Sequence, residues 1–395
     1  MKILFVLNID LGLPGPSVHI FKDLVLAILG KGHEVTIIAK DYGQAGIYAE
    51  KFVSSIRLNI IPITVKFEKA DWLKRFYFDV NYAKKCMKIY RQMCPDVVFL
   101  QSCNTAYYHV KYLRKHLKTK IVFNVQDVFP YNAMYAKNLP ITYISFPILS
   151  NMQRYAYRRV DEIVTISEDM ATLLRNDNIR NTPVSVIHNW GYQDGCGVIN
   201  DSENILIKKY NIKSDAFRVV YAGNIGSVQN VEIIINAAIQ LKNEHRIAFY
   251  LIGDGVNRKR LKETVQKENL QNVHFIPMQD ESNARYIYSM ADVNVIPLAK
   301  GVIKTALPSK TASCLSYGRC VIGCIEAESE LGRILEETDG CYVVSNEDEN
   351  ELVQIILKLS KLPLRQGHIT RESAMTVFSK TNNVSKYVEK VESLL

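Results

Sequence analysis

Short apolar runs alternate along this chain with stretches that carry apolar residues at helical spacing. The chain begins with an apolar run at 2–7, continues with a helical pattern at 17–29 and returns to an apolar run at 35–39. Apolar runs between helical stretches are typical of strands in a parallel sheet with both faces covered. The pattern therefore predicts βαβ units at the start of the chain.

The alternation continues to the end of the chain and falls into two series. The first series predicts further strands at 56–61, 97–100, 121–125, 162–166 and 184–187, and helices at 79–93, 105–117, 150–159 and 168–176. The second series predicts strands at 217–222, 247–252, 272–276, 293–297, 320–323 and 341–344, and helices at 230–242, 256–268, 281–290, 309–317, 329–336 and 349–360. Each series is long enough to form its own sheet with a buried core.

Between the two series the apolar pattern stops. Residues 189–215 are rich in glycine, asparagine, aspartate and serine, which is typical of a loop, so we place a hinge there. The predicted fold is α/β, with two Rossmann-like domains that face a cleft, at 1–190 and 205–377. A last helical pattern at about 382–394 has one apolar face, and we expect residues from about 378–395 to return to the first domain.

Three loops of the second series stand where chemistry is expected. They cover 221–226, 253–255 and 308–310, and each follows a predicted strand and precedes a predicted helix. In an open parallel sheet, ligands bind beyond the carboxyl ends of the strands, where glycines and helix N-termini accept phosphate. The chain is therefore predicted to handle a nucleotide or a sugar phosphate.

Two of these loops offer groups for a diphosphate. In the first loop, Gly223 and Gly226 flank Asn224, and backbone N–H groups there can face a phosphate; a plain βα turn is the alternative. In the third loop, Lys310 follows Pro308 at a helix start and is a candidate cation for the same ligand.

Charge is distributed unevenly between the two halves. Residues 1–200 contain 25 lysines and arginines against 16 acidic residues, whereas residues 201–395 contain 24 of each. Aromatic residues interleave with basic ones at 72–78, and Lys84, Lys85, Lys88 and Arg91 follow at helical spacing. This mix predicts that the first domain rests on an anionic membrane surface; solvated helix faces are the alternative, and no nucleic acid partner is expected.

The sequence has further consequences for compartment and cofactors. No apolar run approaches the ~20 residues that span a bilayer, and no cleavage site follows the first apolar run, which predicts a cytoplasmic protein that is peripheral on the inner face of the plasma membrane. The eight cysteines form no CxxC pair and no cluster with histidines, so no zinc site is expected.

Taken together, the motifs resemble those of the retaining glycosyltransferases of family 4. In the second half the resemblance rests on YAGNIG, YLIGDG, NVHFIP, ADVNVIPL, PSK with LSYGRCVIG, and GCYVV. In the first half GLPGPSVH, KGHEVTII, QDVFP, RRVDEIVTIS and VIHNW resemble the branch that transfers amino-sugars to lipid-linked acceptors in bacterial surface polysaccharide synthesis. The resemblance covers nearly the whole chain.

The resemblance implies a GT-B fold, a UDP-sugar donor in the second domain and transfer without a metal or cofactor. Catalysis would involve Asp127, which faces the reacting sugar, with Lys310 and Asn224 at the diphosphate. The donor site would be formed by Gly223, Asn224, Gly226, Gly253, Asp254, Gly255, Ser309, Lys310 and Glu330. Gly15, Ser17 and His19 would reach into the cleft from the acceptor side. From the residues alone, Asp127 is equally a turn cap. His19 could instead pack near the sheet, since a lone histidine is more often structural than catalytic.

The chain departs from the family pattern at two positions. Members commonly carry two glutamates eight residues apart around the third loop, whereas this chain has Thr305 and Ser313. Glu330 is the candidate substitute, with stabilisation of its own helix start as the alternative. A basic pair that many members have after the first loop is also absent, and Gln229 and Asn230 stand near that place.

The predicted function is transfer of a sugar, such as an N-acetylated amino-sugar, from a UDP donor to a lipid-linked saccharide acceptor. Two alternatives stay open: a non-hydrolysing nucleotide-sugar epimerase, and a nucleotide-binding partner that has lost catalysis. An NAD-dependent dehydrogenase is disfavoured, because the loop after the first strand lacks the third glycine of a dinucleotide fingerprint. The donor sugar, acceptor and linkage depend on pocket shape, which motif spacing does not encode.

Overall fold

Two parallel sheets, each with apolar clusters on both faces, form the two halves of the described chain. The computed structural model describes residues 1–11, 18–41, 58–64, 72–135, 140–177, 179, 181–191, 197–364 and 372–394. The strands of the first sheet are β1 (Lys2–Asp10), β2 (Glu34–Asp41), β3 (Leu58–Thr64), β4 (Val97–Gln101), β5 (Lys120–Val125), β6 (Glu162–Thr165) and β7 (Val184–Val186). The strands of the second are β8 (Phe217–Ala222), β9 (Ile247–Ile252), β10 (Val273–Ile276), β11 (Val293–Pro297), β12 (Cys320–Cys324) and β13 (Cys341–Val344).

Helices connect these strands. In the first half they are α1 (Val18–Gly30), α2 (Trp72–Met93), α3 (Ala106–His116), α4 (Tyr131–Tyr135), α5 (Pro140–Tyr157) and α6 (Glu168–Asn176). In the second half they are α7 (Ile205–Lys209), α8 (Glu232–Gln240), α9 (Arg258–Lys267), α10 (Ala284–Ser289), α11 (Thr311–Tyr317), α12 (Glu330–Glu336), α13 (Glu349–Ser360), α14 (Glu372–Val377) and α15 (Lys380–Glu392). Single 3₁₀ turns lie at 201–203, 281–283 and 302–304.

The strand orders confirm two doubly wound sheets. The first sheet has the order β3-β2-β1-β4-β5-β6-β7, the second has β10-β9-β8-β11-β12-β13, and the paired strands run parallel. In both sheets the strand order reverses direction near the middle. The reversal lies between β1 and β4 in the first sheet and between β8 and β11 in the second. Ligands of such sheets bind at the carboxyl ends of the strands on either side of this reversal. The fold thus fixes where a ligand of each domain belongs.

The cores explain why the strands appear as continuous apolar runs. Along β1, Leu4 and Val6 belong to one buried cluster, whereas Ile3 and Phe5 belong to the cluster on the other face. The Phe5 ring stacks on Phe99 of β4 with ring centroids 4.8 Å apart. Because helices cover both faces, the central strands have no solvent side on which polar residues would alternate.

Helix α15 returns to the first domain, as predicted. Tyr387, Val388 and Val391 are buried in the same cluster as α1, and Lys380 Nζ lies 2.9 Å from Asp23 Oδ1 on that helix. The Tyr387 hydroxyl accepts a hydrogen bond of 2.7 Å from the Asn124 amide in β5. The end of the chain is therefore part of the first domain's core.

The structure corrects two helix boundaries and adds short helices. We predicted a helix at 79–93, but α2 begins at Trp72. We predicted a helix at 150–159, but α5 begins at Pro140 and contains Pro147. A proline inside a helix removes a backbone hydrogen bond, so the pattern favoured a start after it. The short helices α4, α7 and α14 were not predicted. Part of the hinge region already packs on the second domain, where Asp201 contacts Arg218 at 2.9 Å.

Candidate active site

The first two glycine loops of the second domain pack against each other. Gly223 follows β8 and Gly253 follows β9, and their N–H groups donate to the carbonyls of Ile252 and Ile276 at 2.9 and 3.0 Å. Gly253 has φ +153°, and a Cβ built on it would lie 1.9 Å from the Gly223 carbonyl oxygen. A side chain at residue 253 would push the two loops apart. The resemblance places Gly253 in the donor site, and its close packing against the first loop is a second reason for a glycine there.

The second loop is further fixed by its own side chain. The Asp254 carboxylate accepts a hydrogen bond of 2.8 Å from the Gly255 N–H, and the Asp254 carbonyl accepts one of 2.8 Å from the Ile225 N–H. Gly255, with φ +155°, approaches the Ile225 carbonyl so closely that a Cβ would lie 2.4 Å away. The loops after β8 and β9 therefore form one rigid edge of the site.

Lys310 reaches this edge from the third loop. Its Nζ lies 3.7 Å from the centre of the Tyr221 ring in β8, and a Cβ on Gly223 would be 3.5 Å from it. The ammonium nitrogen is shielded from solvent and has no hydrogen-bond acceptor among the described residues. Burial lowers the pKa of Lys310 to about 7, since a charged amine without an acceptor is disfavoured there. Ser309, beside it, is exposed.

Asn224 and Gly226 complete the first loop. The Asn224 side-chain amide donates a weak hydrogen bond of 3.3 Å to Gln229, and a Cβ on Gly226 would lie 2.7 Å from both side chains. Gln229 stands near the place where many family members have a basic pair, so a neutral amide pair takes that position. The loop offers amide donors, while the positive charge comes from Lys310.

Asp127 lies where the two domains meet. It forms an isolated antiparallel bridge with Ala306, and the next N–H, that of Val128, donates to the Thr305 carbonyl at 2.8 Å. The Asp127 side chain is exposed to the cleft, yet the surrounding protein removes enough water to raise the pKa of its carboxyl to about 6. The bridge links Asp127 of the first domain to the loop that leads into Lys310.

Thr305 does not supply a substitute for the family's first glutamate. Its side chain is buried, and its hydroxyl donates to the Val302 carbonyl at 2.9 Å within the same turn. Ser313 is half-buried on α11, close to Gly191. Gly191 belongs to the predicted hinge at 189–215, which we call the interdomain segment. Neither Thr305 nor Ser313 carries a carboxylate.

Glu330 contacts the first domain with both carboxylate oxygens. Oε2 accepts a hydrogen bond of 2.7 Å from the Glu168 N–H, and Oε1 lies 3.0 Å from His188 Nε2. In return, the Glu330 N–H donates to the Asp169 carboxylate at 2.9 Å. Burial alone would raise the pKa of the Glu330 carboxyl. The hydrogen bond and charge of His188, together with the hydrogen bond from the Glu168 N–H, outweigh burial and lower that pKa. Its contact with a donor stays a prediction.

The acceptor-side loop is described only in part. Gly15 and Ser17 lie outside the described residues. His19, in the first turn of α1, has Nε2 3.0 Å from the Trp190 carbonyl oxygen in the interdomain segment. This contact gives His19 a structural partner, and its reach into the cleft stays a prediction.

Comparisons with known proteins agree with this arrangement. The family model Glycosyltransferase Family 4 matches residues 17–190, and the model Glycosyl transferases group 1 matches residues 216–361. The chain therefore carries a family 4 glycosyltransferase domain followed by a group 1 glycosyltransferase domain. The family 4 match covers the predicted acceptor domain, and the group 1 match covers the loops around Lys310.

Two curated relatives of the chain come from bacteria. WcaI of Escherichia coli K12, named for colanic acid biosynthesis, is 27% identical over 60% of this chain, and the match spans 59% of WcaI, less than two thirds of its length. WbjE of Pseudomonas aeruginosa, named as a glycosyltransferase, is 25% identical over 72% of this chain and 70% of its own.

Solved structures of low sequence identity share the fold. Sucrose-phosphate synthase from Thermosynechococcus elongatus has a TM-score of 0.80 at 14% identity and covers 100% of this chain and 99% of its own. HepE from Anabaena, solved with UDP-glucose, has a TM-score of 0.72 at 12% identity with complete coverage of both chains. WaaG, a glycosyltransferase involved in lipopolysaccharide biosynthesis, has 0.69 at 13% identity, covering 98% and 99%. These likenesses agree with the predicted GT-B architecture.

Several features of the site were not foreseen from the sequence. The Tyr221 ring under Lys310 and the contacts of Glu330 with the first domain depend on residues far apart in sequence. Across the described residues, no group of three or more His, Cys, Asp or Glu side chains is placed to hold a metal ion. In the same part of the chain, no helix is long and apolar enough to cross a bilayer.

Proposed function

We propose that this protein is a retaining glycosyltransferase that moves a sugar from a UDP donor to a lipid-linked saccharide acceptor. The observation that carries the proposal is Lys310: a shielded cation with no acceptor in the part of the chain that the structure describes, held against Gly223 at the point where the second sheet reverses. A buried polar group normally has a partner, and a diphosphate would supply one here.

The donor and pathway are proposed from the resemblance and the relatives. HepE was solved with UDP and with UDP-glucose, which supports a UDP-sugar donor. WcaI is named for colanic acid biosynthesis and WaaG for lipopolysaccharide biosynthesis, which supports a role in bacterial surface polysaccharide such as O-antigen or capsule. An N-acetylated amino-sugar is proposed from the branch that the motifs resemble.

The proposed chemistry is attack on the same face as the leaving group. The bond between the anomeric carbon and the UDP oxygen breaks, and negative charge grows on the diphosphate, where Lys310, Asn224 and the loop N–H groups stabilise it. The acceptor hydroxyl forms the new bond, and its proton passes to the departing phosphate oxygen. Asp127 orients that hydroxyl from the other side of the cleft. No metal is required in this scheme.

Loss of catalysis is the second candidate, because Thr305 and Ser313 replace carboxylates. The test is incubation of the pure protein with a panel of UDP-sugars and an undecaprenyl diphosphate-linked saccharide, with UDP release and product measured. Release that depends on acceptor supports transfer, and interconversion of the sugar without acceptor indicates an epimerase. Tight UDP binding with no release from any donor indicates the inactive partner.

A membrane surface is proposed as a partner of the first domain. Helices α3 and α5 contain no acidic residue, and Asp79, the one acid of α2, is buried in an ion pair with Lys40 at 2.5 Å. Ile148 of α5 is 65% exposed and Tyr77 of α2 is 63% exposed. Basic and exposed apolar side chains on neighbouring helices suit an anionic lipid interface.

A cavity adds to this basic surface. It has a volume of about 430 Å³ and is lined by Arg154, Arg158 and Arg159. Flotation with vesicles of phosphatidylglycerol and of phosphatidylcholine tests the membrane proposal. The proposal is supported if the protein binds selectively to the anionic vesicles and the double variant Lys111→Glu, Lys115→Glu loses this binding. Lys259→Glu on the second domain should keep it. Equal binding to both vesicles contradicts the proposal.

A further inference from the structure

Two helix starts from different domains face each other beside the interdomain segment. Helix α6 of the first domain begins after its N-cap Ser167, and α12 of the second begins after its N-cap Ser329. Each Ser side chain accepts a hydrogen bond from an N–H of its own helix, at 3.2 and 3.0 Å. The first N–H group of each helix is left for another acceptor.

The missing acceptors are exchanged between the domains. Glu330 of α12 accepts from the Glu168 N–H at 2.7 Å, and Asp169 of α6 accepts from the Glu330 N–H at 2.9 Å. His188, just before the interdomain segment, holds the other oxygen of Glu330 at 3.0 Å. We name these four residues the interdomain clasp. Each carboxylate satisfies an N–H of the opposite domain, so neither contact survives a change in the angle between the domains.

The clasp lies beside the place where the chain crosses back to the first domain. The ring of His188 packs edge-on against Phe378, with centroids 5.6 Å apart, and Phe378 is buried just before α15 returns to the first domain. His188 therefore contacts both the second domain through Glu330 and the returning segment through Phe378. A shift of one domain would disturb both contacts.

A second contact between the domains, near the site, depends less on which side chains are present. Asp127, Val128, Thr305 and Ala306 meet through backbone groups, which any residues at these positions can supply. Lys310 follows Ala306 by four positions in the same loop. The distance from Asp127 to Lys310 thus depends on the domain angle. Apolar contacts such as that of Tyr135 with the second domain's core contribute to this angle, and the clasp adds hydrogen bonds from carboxylates of one domain to N–H groups of the other.

We propose that Glu330 and Asp169 are positioning residues that hold the two domains in the arrangement that brings Asp127 to the donor loop. The inference rests on the proposed function only for the effect on catalysis, since the angle between the domains can be measured without any reaction. It differs from the role that the family resemblance implied for Glu330, which was contact with the donor. The two roles give opposite results in measurements of shape and of UDP affinity.

The experiment measures small-angle scattering and UDP affinity for the full chain and its variants. Glu330→Ala and Asp169→Ala each remove one exchanged hydrogen bond to a charged group, so we expect the ratio of closed to open forms to fall about tenfold or more, with a larger radius of gyration. The double variant is expected to open little further than either single variant, because both act on one interface. UDP affinity stays within about twofold, since Lys310 is untouched.

Controls separate this result from a general loss of structure. Glu349 is the first residue of α13, as Glu330 is of α12, but it contacts Asn236 of its own domain. Glu349→Ala should therefore leave the scattering unchanged. Glu330→Gln keeps an acceptor of similar length and should restore part of the closed form. Melting temperatures identify any variant that unfolds.

Three results would overturn the clasp: wild-type scattering that already fits separated domains, scattering of Glu330→Ala equal to that of wild type, or additive opening in the double variant. Weaker UDP binding by Glu330→Ala with unchanged scattering also overturns it and favours donor contact. The proposed function is tested separately by Lys310→Met, because a loss of UDP affinity there is independent of the domain angle.

Discussion

The donor loops and the acceptor side of the cleft are built in different ways. In the second domain, Gly223, Gly253 and Lys310 lie in loops after neighbouring strands of one sheet, and the glycines fit against each other's backbone. On the acceptor side, His19 contacts Trp190, and the backbone next to Asp127 pairs with the second domain. The donor loops are therefore fixed within one domain, whereas the acceptor side depends on contacts between distant parts of the chain.

The largest effect is expected from crowding the donor loops. Gly253→Ala places a methyl group 1.9 Å from the Gly223 carbonyl at φ +153°, so the loops must separate, and we expect a loss of about 3 kcal/mol in unfolding free energy together with weaker UDP binding. Urea unfolding measures the first and calorimetry the second. Gly30→Ala is the matched control, because nothing lies within 4 Å of a Cβ there.

If Gly253→Ala unfolds at the same urea concentration as wild type, the loops are not packed as described. A shift of similar size in Gly30→Ala would show instead that any alanine for glycine exchange has this effect. Either outcome breaks the contrast between the rigid donor loops and the rest of the cleft.

The next effect concerns the acceptor side alone. Asp127→Asn keeps the backbone bridge but removes the carboxylate, and we expect turnover to fall about 100-fold with unchanged UDP affinity. With a pKa of about 6, the wild-type carboxylate is ionised above that pH, so wild-type turnover should fall as the pH drops below 6. This limb should be missing in the variant.

Steady-state rates from pH 5 to 8 measure this, with Asp96→Asn, an exposed site at the opposite end of the sheet, as the control. Turnover of Asp127→Asn within twofold of wild type would remove Asp127 from the chemistry. A parallel loss of UDP affinity would show that the two sides of the cleft are not separate.

The smallest effect sharpens the comparison within the first domain. Tyr387→Phe deletes the hydroxyl that accepts a hydrogen bond from Asn124, and we expect a loss of about 1 kcal/mol in unfolding free energy. Urea unfolding measures it, with the exposed Tyr77→Phe as a control. Equal stability of Tyr387→Phe and wild type would mean that this hydrogen bond does not contribute to holding α15.

Much of the fold could be predicted from the sequence because its central strands are buried on both faces. The runs at 217–222 and 247–252 coincide with β8 and β9, since a helix-covered parallel strand is apolar at every position. The start of α5 could not be predicted, because Pro147 interrupts a pattern that only the tertiary structure overrides. Local pattern was sufficient where burial was uniform.

The site divides in the same way. Lys310 and its glycine loops follow from motif spacing, because each is placed by its own strand end. The contacts of Glu330 could not be predicted, since its partner Asp169 is 161 positions away and no local pattern joins them. Thr305 marks a departure from the family pattern, but only the structure showed that its hydroxyl is turned into its own loop.

Proton uptake on UDP binding tests the central claim most directly. At pH 8 the free Lys310 is mostly neutral, because its pKa is about 7, and the charge of a bound diphosphate favours its protonated form. Calorimetry in two buffers of different ionisation enthalpy should therefore reveal uptake of nearly one proton, with affinity that weakens as the pH rises above 7. Lys310→Met should lose this uptake and bind UDP at least about tenfold more weakly, whereas Lys300→Met, an exposed neighbour, should behave as wild type. Equal binding heats in both buffers and unchanged affinity of Lys310→Met would contradict the account.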